Sequence, residues 1–67
     1  MGRIKELNIY NKSFIEGDLV EIFTGNEIIK CYIEKIGRDY VLVQEIIHKK
    51  TINIKLKDIE NIFSMHP

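Results

Sequence analysis

Turn signals at Glu16-Gly17-Asp18, Gly25-Asn26, Gly37-Arg38-Asp39 and His48-Lys49-Lys50 cut this chain into short segments, and within them apolar and polar side chains alternate at period two. That rhythm predicts half-buried β-strands joined by tight connections. Residues 18–24 place Leu19, Glu21 and Phe23 on one face and Val20, Ile22 and Thr24 on the other. Residues 27–36 place Ile29, Cys31 and Ile33 opposite Lys30, Tyr32 and Glu34, and the faces exchange near Ile36, as at a bend or bulge. Residues 40–47 are the most apolar run. In 51–56, Ile52, Ile54 and Leu56 point inward, and Thr51, Asn53 and Lys55 outward. Residues 57–60 read as one helical turn and 61–64 as a short last strand.

Composition supports the same reading. There are 14 Ile, 4 Leu, 3 Val and no Ala or Trp. β-branched side chains suit a pleated surface, while the strong helix formers are scarce. The one helical expectation lies at 3–10, where Ile4, Leu7 and Tyr10 recur three apart. Eight residues form no stable helix alone, so this one is expected to dock on the strands. The expected organisation is a single domain, with 1–16 a helix or arm and 17–64 a small barrel.

Size and charge exclude several classes. A chain of 67 residues leaves room for one small domain and little for a catalytic cavity. Ten basic and ten acidic residues give zero net charge and a pI near 6.7, which disfavours a histone-like binder. No apolar run is long enough to cross a bilayer, and Met1–Phe14 lacks the apolar core of a signal peptide. Cys31 has no partner for a disulfide. The expected setting is reducing and cytoplasmic, away from membranes.

The stretch VEIFTGNEIIKCYIEKIGRDYVLVQE (20–45) and the segment INIKLKDIENIF (52–63) carry a resemblance to the SH3-like small barrels, and among them to the Sm-like family. It spans Leu7 to Phe63. It implies an all-β, five-stranded SH3-like (Sm-like) barrel with a short N-terminal helix, as in bacterial Sm-like RNA chaperones. Some family positions differ. The glycine of the bent second strand falls on Lys30 or Cys31, and the loop aspartate near Gly37, with Asp39 displaced. The Lys-His pair falls on Leu56 and Lys57. The stacking aromatic falls on Asp39, one position from Tyr40.

Lys49, Lys50, Lys55 and Lys57 lie between 48 and 57 without an acidic residue, giving +4 there and −4 on the rest. Lysines so placed either contact phosphates or block unwanted strand pairing. Tyr40 follows Arg38 and Asp39, a setting for base stacking beside a phosphate contact or for packing at a barrel rim. Tyr10 and Tyr32 are further aromatics. The leading expectation is a non-enzymatic, homo-oligomeric protein that binds single-stranded RNA or other nucleic acid through Arg38, Tyr40, Lys49, Lys50, Lys55 and Lys57. The alternative is a protein-protein interaction module or assembly subunit. Phe23, Ile28, Ile36, Val41, Val43 and Ile47 fall on second faces of their strands, an apolar surplus covered either by the N-terminal helix and a neighbouring copy or by strand twist that buries both faces.

No catalytic set emerges. Cys31 lies mid-strand between Ile29 and Ile33, His48 at a strand end and His66 near the end of the chain. Their spacing does not suit a metal, and no phosphate-binding glycine loop occurs, so neither metal nor cofactor is expected.

Overall fold

The computed structural model describes residues 5–65. In chain order the strands are β1 (Glu6–Ile9), β2 (Lys12–Ile15), β3 (Leu19–Phe23), β4 (Ile28–Ile36), β5 (Tyr40–Glu45), β6 (Thr51–Lys55) and β7 (Asn61–Ser64), with a 3-10 turn at Leu56–Asp58 before β7. β1 and β2 form a separate hairpin. The other five strands form one antiparallel sheet in the order β6-β5-β4-β3-β7. The chain is all-β in its described residues.

The alternation lands as the patterning requires over most of the sheet. Val20 and Ile22 of β3 are buried, and so are Ile29, Cys31 and Ile33 of β4. The register of β4 against β5 slips between Ile33 and Lys35, leaving Glu34 as the extra residue of a bulge. The bulge returns Ile36 to the inner face, opposite Val41. This corrects the expected apolar surplus. Ile36, Val41 and Val43 belong to the core, and of the outer-face group only Phe23, Ile28 and Ile47 remain at least partly exposed. The phase of β5 was ambiguous because Tyr40 and Leu42 are as apolar as Val41 and Val43.

The expected N-terminal helix is absent. Arg3 and Ile4 lie outside the described residues, and Glu6–Ile9 is a strand paired antiparallel with β2, Leu7 opposite Phe14. Tyr10 and Asn11 both take positive φ, 53° and 61°, as a two-residue type I′ hairpin requires. Leu7 and Phe14 enter the core and Ile9 packs against it. A three-residue spacing of apolar groups imitated one helical face, while the pairing across the turn decided the outcome.

Barrel closure is absent among the described residues too. There β6 pairs only with β5 and β7 only with β3. Ile59, between the 3-10 turn and β7 in the chain, is 2% exposed, and its carbonyl accepts a hydrogen bond from the Tyr10 hydroxyl. At the other end of the hairpin, the Glu16 carboxylate accepts the Ile36 N–H at 3.3 Å, and Lys5 Nζ donates to the Ile36 carbonyl at 3.4 Å. The hairpin is thus tied to the sheet at both ends, and Leu7 and Phe14 pack with the sheet's buried residues.

Cys31 is fully buried, and its thiol lies 3.7 Å from the Ile29 carbonyl. Burial, with a smaller contribution from the Glu45 charge, pushes its pKa from 9.0 to about 12. A buried, protonated thiol is a poor nucleophile. It should resist disulfide reagents in the native chain and react once the chain is unfolded. A thiol whose folded pKa is raised stabilises the fold below its unfolded pKa, and that contribution fades as pH rises from about 9 to about 12. Urea midpoints should fall across this window, and Cys31→Val should flatten the fall relative to the native chain. A slope unchanged by Cys31→Val would rule the thiol out as its source.

Candidate functional site

The strand register separates the predicted site residues into two groups. Tyr40 lies directly opposite Lys55, so ring and ammonium stem share the outer face of β5–β6. Arg38, in the β4–β5 turn, and Lys57, in the 3-10 turn, flank the same end of the sheet. Lys49 and Lys50 sit in the β5–β6 loop at the other end. At roughly 3.4 Å per residue, Lys50 and Lys55 are about 17 Å apart along the strand. Arg38 and all four lysines are exposed, whereas Tyr40 is half-buried.

Tyr40 is held by its own turn. Its ring lies so close to Gly37 that a Cβ there would meet Cδ1 at 2.6 Å and other ring atoms closer still. Any other residue at 37 would force the Tyr40 ring to move. The Gly37 N–H donates to the Tyr40 carbonyl at 2.9 Å and closes the turn. One side of the ring is therefore engaged in packing.

Glu45 orders the opposite loop. Its carboxylate accepts the backbone N–H of His48 at 2.7 Å and of Ile47 at 3.1 Å, and contacts His48 Nδ1 at 3.1 Å. These contacts, the His48 N–H foremost, hold the Glu45 carboxyl below its ordinary range. Lys49 follows at positive φ, 56°, which fixes the path of the chain into β6. His48 is well exposed and Cys31 fully buried, and His66 lies outside the described residues.

Two shallow hollows lie along β6. Glu27, Ile29 and Ile52 line both, with Glu45 and His48 in one and Asn53 and Ile54 in the other. Lys50 borders the first and Lys57 the second, and Glu27, Asp58 and Glu60 interrupt the positive charge. The inner side is thus apolar at its base and mixed at its rim.

The two margins of the sheet differ in a way that residue patterning did not reveal. The Glu45 N–H donates to the Lys50 carbonyl at 2.8 Å and the Leu56 N–H to the Asp39 carbonyl at 3.0 Å. Antiparallel pairing alternates, so residues 50, 52, 54 and 56 direct their backbone groups to β5. Thr51, Asn53 and Lys55 direct theirs away from the sheet, with no partner among the described residues. On β7 the Met65 N–H donates to the Leu19 carbonyl at 2.9 Å, and by the same alternation Ile62 faces outward. Ile62 is capped. Its N–H donates to Asn61 Oδ1 at 2.9 Å, and its carbonyl accepts from Lys12 Nζ at 2.7 Å. The Lys12 ammonium also lies 3.8 Å from the centre of the Phe63 ring and 3.3 Å from Asn61 Oδ1. Lys12 and Asn61, which cap the β7 margin, are not singled out by residue patterning. Only the β1–β2 turn, had Asn11 been read as one, pointed towards Lys12.

No family model matches the chain, and no curated protein or solved structure does either.

Proposed function

We propose that this chain is a non-catalytic, small β interaction module of Sm-like or SH3-like type that binds an extended polypeptide by strand addition to β6. The observation that carries the reading is the contrast between margins: β6 offers three outward residues with unpartnered backbone groups, while β7 is capped at Ile62. An open edge of this kind is a template for a further strand, whose main-chain hydrogen bonds supply affinity. The strand order and the 3-10 turn ahead of β7 support the Sm-like resemblance. The homo-oligomer that this resemblance implies would join β6 of one copy to β7 of the next. With Lys12 seated on the Ile62 carbonyl, the reading here is a monomer.

A second reading, single-stranded nucleic acid on the outer face, draws support from the Tyr40–Lys55 pair with Arg38 and Lys57 beside it. The two readings separate on one substitution. Asn53→Pro removes an outward N–H without breaking a bond to β5, a change that edge strands tolerate. Fluorescent peptides alternating Val with Thr, Glu or Lys are the probes, with oligouridylate as the nucleic acid. At least one peptide should bind the native chain and lose that binding in a folded Asn53→Pro variant. Oligouridylate binding without any peptide binding, or peptide binding indifferent to Asn53→Pro, would overturn strand addition. Oligouridylate affinity that falls steeply with salt would support the second reading.

A further inference from the structure

We infer that the strand accepted by β6 is an amphipathic acidic segment of a partner protein, carboxylates alternating with aliphatic residues. This rests on the strand-addition reading and names the partner for that same edge.

The two faces of β6 differ in chemistry. Residues of an added strand alternate in direction, as those of β6 do. Positions opposite Thr51, Asn53 and Lys55 lie on the outer face. There they meet Lys55 beside Tyr40, and Lys49 at the loop, in a stretch from 48 to 57 that holds no acidic residue. Carboxylates fit these positions. Positions opposite Ile52 and Ile54 turn inward over the hollows lined by Ile29 and Ile52. A carboxylate there would approach Glu27, Glu45, Asp58 and Glu60, which outnumber Lys50 and Lys57 along the same hollows, so the inward positions call for aliphatic side chains.

The other occupants fit less well. Pairing β6 with β6 of a second copy about a two-fold axis would bring Lys49, Lys50, Lys55 and Lys57 of each copy together, a concentration of like charge. Pairing β6 with β7 requires the Lys12 cap to leave. A nucleic acid strand would find the lysines, but its phosphates carry no donors, which leaves only ribose hydroxyls for the outward carbonyls of Thr51, Asn53 and Lys55.

The test uses the whole chain and the peptides already named. The alternating Glu–Val peptide should bind more tightly than the Thr–Val or Lys–Val peptide, and shift the amide resonances of Thr51, Asn53 and Lys55. Lys55→Glu turns an attraction into a repulsion and should weaken the Glu–Val peptide roughly fivefold while favouring the Lys–Val peptide. A Glu–Val peptide N-methylated along its bonding edge should not bind. Equal binding of the Lys–Val or Thr–Val peptide, still lost on Asn53→Pro, would overturn the acidic partner and leave strand addition standing. Undiminished binding of the N-methylated peptide would overturn both. Displacement of the Glu–Val peptide by oligouridylate, with the same three amides shifted by the nucleic acid, would also overturn the acidic-peptide assignment.

Discussion

Replacing Phe14 with alanine should leave the chain largely unfolded at room temperature, whereas Ile15→Ala beside it should change stability little. Phe14 is 4% exposed and packs in the central cluster; Ile15 is 40% exposed on the other face of the same strand. Truncating a buried Phe costs about 3–5 kcal/mol, because the apolar contact is lost and the space only partly collapses. A domain of this size holds roughly 3–10 kcal/mol in all. The loss is therefore comparable with the whole stability. The comparison decides whether the hairpin is a wall of the core or an appendage to it. Urea unfolding followed by circular dichroism gives the answer. A Phe14→Ala midpoint close to native would mean that the five-stranded sheet holds its fold without β1 and β2.

The sheet and the hairpin differed in legibility for a physical reason. In β4 and β6 one face is clearly more polar than the other, so alternation fixes which residues enter the core. Ile29, Ile33 and Ile54 are there as read, whereas the two faces of β3 are closely matched and pairing selects Val20 and Ile22. The irregularity near Ile36 was visible because apolar spacing changed from two to three between Ile33 and Ile36. β5 is apolar on both faces, so its phase depended on pairing with Ile33, Ile36, Ile52 and Ile54. The hairpin turn carries Tyr10 at positive φ, where no glycine announces it.

The basic residues were legible as a group, but their division was not. Whether Lys50 and Lys55 act together depends on their separation along β6, which sequence proximity hides. The edges were less legible still. The cap on Ile62 comes from Lys12, 50 residues away in the chain, and the bare edge at Thr51, Asn53 and Lys55 is defined by which strand lies beside it. Alternation determines where a side chain points. It carries no information on whether an outward backbone group has found a partner.

Removing the cap should convert the proposed monomer into a concentration-dependent oligomer. In Lys12→Met/Asn61→Ala, methionine keeps an apolar stem near Phe63 but offers nothing to the Ile62 carbonyl, and alanine takes away the acceptor of the Ile62 N–H. The uncapped β7 edge then presents an outward donor and acceptor to a second copy, and the open β6 edge presents the complementary pattern. Such a contact is head-to-tail, so it continues into a ring or a filament instead of stopping at two. Light scattering behind a sizing column should give the mass of one chain for the native protein and for Lys12→Arg, which retains a donor. The double variant should give multiples of that mass, growing with concentration. Adding Asn53→Pro should restore the single-chain mass, because the β6 side of the contact is then blocked. A native protein already at several chains would show that the cap is no barrier. A double variant that stays folded and monomeric would show that the two edges do not match.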